Sequence, residues 1–381
     1  MSSSLGLRKL NAKLKAQGQA VQFTYSIHER DESAFYRGGG FSLTIHWALQ
    51  QLYDILPEEL SARIFECVGN PEAIKNGHMG SFTFLNLRTG NPAFQTSLPQ
   101  GWKGARMSRV RFLELLMTDL DIQYSNRLSE ITFPTNDKVR AHFENGHQVT
   151  GDLLVGADGA NSVLPVRMLN CRSDYALKDL EACLKIDPHL FHAGDPVQNG
   201  YFMFAFLDMP SLGSTGGKAG VQLTISWPYE SGYLDEKEPS DAPTELPDQL
   251  AWLKRMAEHW ANPVYDLIQS MPDNSIVRVI AVREWMPNDT NRRPTDGRIT
   301  TVSDAAHLMT SSPSSSNGID LRKVVSIYEE EMFQRSRPAT LKAREACLDA
   351  NHYSKVASGS PFLSRRTVLE EEERELLKRS T

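Results

Sequence analysis

Apolar residues follow two rhythms along this chain. At the amino end Leu5, Leu7, Leu10 and Leu14 recur near a helical period with basic residues between them, and Gln17-Gly18 supplies a stop, so 5–16 reads as a surface helix. Positions 21–27 read as a strand that halts at Glu29-Arg30-Asp31, ahead of Gly38-Gly39-Gly40 and an extended stretch at 41–45. A helical pattern returns at 47–56. Positions 81–87 and 91–97 resemble a strand pair, 110–120 a helix, and a meander then leads to Gly151.

The rhythm changes after about position 170. Positions 201–207 and 221–227 are aromatic and β-branched with strand-like alternation, joined by a glycine-rich connection at 213–220, which is the signature of an antiparallel sheet. A single long amphipathic helix is expected at 249–271, followed by strands at 276–283 and 298–302. The serine cluster at 311–316 reads as a loop and 364–378 as a charged helix or tail. No internal repeat is visible.

Composition narrows the class. With 381 residues, 40% apolar and 23% charged, the chain has room for about two domains around a sizeable core. A net charge of −6 with both signs interspersed argues against nucleic-acid binding, and Glu329 to Glu331 and Glu370 to Glu373 are most simply solvated helix faces. The four cysteines are widely spaced and include no CxxC pair, which points away from a disulfide framework or zinc knuckle and toward a reducing, cytoplasmic setting. The amino end is too polar for a signal peptide, and no run reaches the ~20 apolar residues of a membrane span.

Two acidic turns carry the chemistry. In GDLLVGADGANS and TTVSDAAHLM an apolar run delivers Asp158 or Asp304 to a strand end where small residues let a ligand approach the backbone. Glu29 is a third carboxylate of this kind, 23 residues after Gly6, at the place where a dinucleotide fold sets the acid that accepts ribose hydroxyls. Other motifs are weaker. His189 and His192 lack a third metal ligand, so no metal is expected. Gly216-Gly217-Lys218 is followed by Ala219 rather than the Ser or Thr of a P-loop, and no GxSxG elbow is present. His307 reads as a packing residue. Tyr201, Phe202, Phe204, Phe206 and Trp227 read as core, with one side free to line an apolar pocket.

These residues, together with the run HERDESAFYRGGGFSLTIHWAL, resemble the class A flavoprotein monooxygenases, the para-hydroxybenzoate hydroxylase-like family, and within it the fungal secondary-metabolism branch. The resemblance covers about 7–366. It implies an α/β fold in which a Rossmann-like FAD-binding domain carries an inserted antiparallel-sheet substrate domain, divided as 1–169, 170–289, 290–345 and a helical tail at 346–381. It also implies FAD as cofactor, NADPH or NADH and O₂ as co-substrates, and a lipophilic or aromatic small molecule that is hydroxylated or epoxidised. The cofactor-binding residues carried over are Glu29, Gly40 as a close-approach glycine, Arg109 with Phe112 three positions on, Asp158 of the DG motif and Asp304 of the GD motif. No acid–base residue is assigned.

The sequence departs from the family at three cofactor-facing places. The first strand and the glycine-rich loop are missing, with MSSS in their place. Pro165 stands where the DG motif continues with Arg. Ser303 replaces the glycine before Asp304, and SSPSSSNGID replaces the glycine-rich turn that follows, so the helix expected there reads as largely cut away. The losses admit missing coding segments, or a silent remnant that binds a small molecule or partner without flavin.

Overall fold

The computed structural model describes residues 1–20, 23–36, 41–45, 48–78, 80–97, 104–135, 138–157, 162–210, 217–284, 297–301, 321–357 and 359–363. In chain order the first part runs α1 (Ser2–Ala16), β1 (Ile27–His28), β2 (Ser42–Ile45), α2 (Ala48–Ile55), α3 (Glu58–Ser61), α4 (Pro71–Lys75), β3 (Ser81–Asn86), β4 (Pro92–Ser97), β5 (Ala105–Ser108), α5 (Arg109–Met117) and β6 (Ile122–Gln123). Then follow β7 (Leu128–Thr135), β8 (Lys138–Phe143), β9 (Gln148–Gly151), β10 (Leu154–Gly156), β11 (Ser162–Ala176), α6 (Glu181–Ile186), β12 (Leu190–Gly194), β13 (Tyr201–Asp208) and β14 (Lys218–Pro228). The last part holds α7 (Leu246–Met256), α8 (Val264–Gln269), β15 (Ile276–Glu284), β16 (Ile299–Thr301) and α9 (Leu321–Ala350).

A seven-stranded sheet in the order β15-β11-β14-β13-β12-β3-β4 dominates the molecule. Its centre is antiparallel, as the aromatic alternation predicts: β11 faces β14 from Val166↔Pro228 to Ala176↔Lys218, and β13 runs beside β14. β3 and β4 pair with each other and join through β12, so the sheet draws strands from well before residue 170. Phe191, Phe202, Phe204, Phe206, Leu223, Ile225 and Trp227 are buried in one cluster with Leu253 and Met256 of α7 and Val264, Leu267 and Ile268 of α8. Strand alternation sends these residues to one face, and the two short helices cover it.

Those helices correct the single helix expected at 249–271. Pro263 has no N–H to continue the helical ladder. The Ala261 N–H turns away to the Leu87 carbonyl at the end of β3 (2.6 Å), and α8 restarts with Leu267 N–H on Pro263 O at 3.1 Å. A second correction concerns the region after Asn317 to Asp320: α9 follows as a helix of 30 residues rather than a remnant. Val325, Met332, Ser336 and Thr340 are buried along it, at intervals of seven and four that keep them on one face. Tyr328 ties it to β16 by donating to Thr301 O at 3.0 Å. Gly297, at φ +67°, lets the backbone pass so near Arg322 that a Cβ would lie 2.5 Å from its Cα.

The remaining strands are short. β1 lies parallel to β6 and β10 parallel to β16, while β7, β8 and β9 form the meander. Of the strand expected at 21–27, positions 23–26 are not strand, Ile27 pairs with β6 in Ile27–His28, and 21–22 lie outside the described residues. A second core joins α1, α2, α3 and α5 through Leu5, Leu49, Leu56, Leu60, Ala105, Met107 and Leu115. No helix among the described residues is long and apolar enough to cross a membrane. All four cysteines are free, and burial pushes the thiol of Cys67 up to about 11 and those of Cys171 and Cys183 up to about 12.

Candidate functional site

Glu29 sits where a parallel strand stops. Its N–H continues the β1–β6 ladder by donating to Gln123 O at 2.9 Å, and its carbonyl accepts from Asn126 N–H at 2.8 Å, so both sides of its backbone are pinned. The carboxylate accepts only the Asp31 N–H, at 3.0 Å on Oε1, among the described residues. A carboxylate offers about four acceptor sites, so most of this one is available to hydroxyl donors. The β10–β16 pair, in register from Leu154↔Ile299 to Gly156↔Thr301, likewise runs its two carboxyl ends side by side toward positions 158 and 304. Ligands of α/β folds bind at such ends. Asp158, Asp304 and Gly40 lie outside the described residues, as do His307 and the serine cluster.

Arg109 is the first residue of α5. Its N–H donates to Phe41 O at 3.0 Å, while the side chain is exposed and joins no ion pair among the described residues. Phe112, three positions on, packs against the second core. No hydrogen bond among the described residues joins Glu29 to Arg109; each occupies a separate element end.

The sequence led to the expectation that one side of the aromatic strands lines an apolar pocket; Phe202, Phe204, Phe206 and Trp227 lie on the covered face instead, and what sequence reasoning missed is the polar set beside Tyr201 on the face of the large sheet opposite α7 and α8. There the register brings together His192, Met203, Thr224 and Asn170, strand by strand. Gln222 donates from Nε2 to Asn170 Oδ1 (2.7 Å) and Thr224 Oγ1 (3.0 Å), and Thr224 donates to Asn170 Oδ1 at 2.8 Å. At one end of this face His192 Nδ1 lies 2.7 Å from the Tyr201 hydroxyl, and the ring of Phe362 stands edge-on to both at 5.7 and 5.9 Å. The signal was present in the strand itself: Gln222, Thr224 and Ser226 interleave with Val221, Leu223, Ile225 and Trp227 at period two.

The β2–β5 ribbon connects this face to the second core. Ala105 and Met107 point into that core, and alternation turns Ser42, Thr44 and Arg106 the other way. Ser42 donates to Gln222 Oε1 from its N–H (2.8 Å) and its hydroxyl (2.6 Å). Beside the ribbon, Asp208 at the end of β13 pairs with Arg111 of α5 and with Arg172 of β11, the latter at 2.9 Å. These pairs fix the helix that opens at Arg109 against the sheet. Farther off, burial alone would raise the Asp195 carboxyl, but hydrogen bonds from Arg88, Val197 N–H, Trp260 and Gln198 N–H outweigh it and hold it below the ordinary carboxylate value.

The chain thus combines parallel strand ends, one of them carrying Glu29, with an antiparallel sheet whose second face is polar and aromatic, which is the architecture of the para-hydroxybenzoate hydroxylase-type flavin monooxygenases. HpxO of Klebsiella pneumoniae, solved with FAD and uric acid, shares this fold at a TM-score of 0.64 and 17% identity, over 97% of this chain and 90% of its own. No protein-family model matches the chain. Among curated proteins it is 78% identical to the FAD-dependent monooxygenase tazP of Aspergillus terreus, over 80% of each chain. It is 30% identical to a probable FAD-dependent monooxygenase of Arthroderma benhamiae, over 93% of this chain and 92% of that one. The chain belongs to the FAD-dependent monooxygenases.

Proposed function

We propose that this protein uses FAD, a reduced nicotinamide and O₂ to hydroxylate or epoxidise a lipophilic or aromatic small molecule of secondary metabolism, in the reducing interior of the cell. The observation that carries the reading is a two-part arrangement: parallel strand ends, one of them carrying Glu29, and a sheet face lined by Tyr201, His192, Met203 and Thr224 that the β2–β5 ribbon meets at Gln222 and Met203. The described residues fit the cofactor. Glu29 offers an acceptor to ribose hydroxyls, and Arg109 offers an exposed guanidinium suited to a diphosphate. Gly40, Asp158 and Asp304 complete the proposed set from the family pattern.

When bound, FAD supplies the redox chemistry that couples nicotinamide oxidation to O₂ activation. The protein's part is binding, orientation and exclusion of water. Phe82, Phe84, Tyr353 and Phe362 pack together at the open end of the sheet face and keep it apolar. The short His192–Tyr201 contact, 2.7 Å from Nδ1 to the phenolic oxygen, fixes the two side chains on the face where the substrate would be oriented. In this reading flavin contacts come from 1–169 and 290–345 and substrate contacts mainly from 170–289, with β3 and β4 added to the substrate sheet.

The test is the visible spectrum of the purified protein after incubation with FAD and desalting. Retained flavin bands, lowered by about tenfold or more in affinity by Glu29→Ala and by Arg109→Ala, support the reading. A colourless protein, or unchanged flavin content in both variants, overturns it in favour of a silent remnant.

A further inference from the structure

The β2–β5 ribbon turns a positive charge toward the sheet that no described residue balances. Arg106 stands opposite Thr44 in the ribbon and donates from Nη1 to its hydroxyl at 2.9 Å. Nη2 meets only the thioether of Met203, at 4.0 Å, which is a weak acceptor. Nε is closed off from solvent and has no acceptor among the described residues. Burial pushes the guanidinium down to about 10, with Tyr201 acting in the opposite sense. Five N–H donors served by one hydroxyl and one sulfur leave the group short of both acceptors and counter-charge, a state that interiors avoid unless a partner arrives.

The surroundings say what kind of partner that is. Met203, under the guanidinium, is flanked in register by His192 and Thr224, and Tyr201 lies two residues back on the same face. The rings of Tyr201, His192 and Phe362 stand together beside it. A flat molecule with an ionised oxygen at one end would place that oxygen on the guanidinium and its ring against the aromatic wall.

We propose that Arg106 determines substrate specificity by pairing with an anionic oxygen, carboxylate or phenolate, on an aromatic substrate. The proposal rests on the reading of the sheet face as the substrate side of a flavin enzyme. Its experiment is therefore separable from that reading: binding is measured by calorimetry, and flavin content by absorbance, on the same FAD-incubated protein. Two matched probe pairs are titrated, naphthoate against naphthamide and dinitrophenolate against dinitroanisole. In the native protein the anion of at least one pair binds about tenfold or more tightly than its neutral counterpart, and which pair does so separates carboxylate from phenolate.

Arg106→Gln removes the preference and leaves flavin content unchanged. Met203→Glu, which supplies an internal carboxylate without touching the arginine, removes it as well, whereas Met203→Gln keeps it, so the answer does not depend on Arg106→Gln folding. Equal affinities within both pairs in the native protein, or a preference that survives Met203→Glu, overturns the proposal. Loss of flavin in Arg106→Gln alongside unchanged anion preference overturns it too, and assigns the guanidinium to the cofactor.

Discussion

The two faces of the seven-stranded sheet are made by the same strands and do opposite work. On one, Phe202, Phe204, Phe206, Leu223, Ile225 and Trp227 are sealed under α7 and α8. On the other, Gln222 accepts two hydrogen bonds from Ser42 of the β2–β5 ribbon, Met203 meets Arg106 of the ribbon at 4.0 Å, and Gln222, Thr224 and Asn170 bond to one another within the sheet. The first face is filled by its own side chains, so its residues answer to packing density; the second carries polar side chains that bond to one another and to the ribbon, so its residues answer to polar pairing and, in the function proposed above, to a ligand. A strand of period two lets one sequence satisfy both demands, because adjacent residues never share a face.

The contrast breaks most visibly at Phe204. The ring is fully buried, stacked on Phe191 at 5.0 Å and edge-on to Phe206 at 4.8 Å. Phe204→Ala removes a large apolar group from a site that cannot collapse around the gap, and unfolding free energy is expected to fall by about 4 kcal/mol. A urea titration checks this. A loss under 1 kcal/mol would mean that the covered face is not the stabilising one.

Asp208 tests the joint between the faces. Buried between Arg111 and Arg172, it ties α5 to the sheet through the first and β13 to β11 through the second. Asp208→Asn removes the carboxylate that Arg111 and Arg172 share, Arg172 keeping only the longer pair with Asp174 at 3.9 Å, and is expected to lower stability by about 3 kcal/mol, reduced by the partial exposure of both arginines. Arg111→Met combined with Asp208→Leu should recover part of that loss, since it removes the Arg111 charge together with its partner and leaves Arg172 its longer contact to Asp174 at 3.9 Å. Full additivity of the two substitutions would sink the coupling.

The pH dependence of the covered side follows from Asp195. Its folded pKa lies below the ordinary value of 3.8, so its contribution is complete above that value and is lost as pH falls through the depressed one. Between about pH 4 and pH 2 the native protein should therefore lose stability more steeply than Asp195→Asn, with the curves parallel above pH 5. Denaturation at stepped pH shows whether the acid limb flattens in the variant.

What was legible in the sequence divides along the same line. The antiparallel centre could be read because its aromatic alternation is local, and Glu29 and Arg109 could be placed because a strand end and a helix start are also local signals. The break at Pro263 was readable in principle but was overridden by the amphipathic rhythm around it. The polar face could not be assembled, because His192, Met203, Thr224 and Asn170 become neighbours only through register across four strands. Arg106 gave no signal, since its meaning comes from what its guanidinium fails to meet.

The smallest effect is the sharpest test of the two-face contrast. Thr224 donates to Asn170 and accepts from Gln222 at the middle of the polar face, with Met203 and Asn170 as its cross-strand neighbours. Thr224→Val keeps the volume and the β-branched shape but removes one hydroxyl, so stability should fall by only about 1 kcal/mol while flavin content stays at the native level. What should change is substrate handling, because Asn170 and Gln222 are left to reorient toward whatever occupies the face. Nicotinamide oxidation in the presence of a bound aromatic acid should then run with a weakened dependence on that acid. If Thr224→Val instead unfolds the protein as readily as Phe204→Ala, the polar face is a second core, and the division of labour between the two sides of the sheet does not hold.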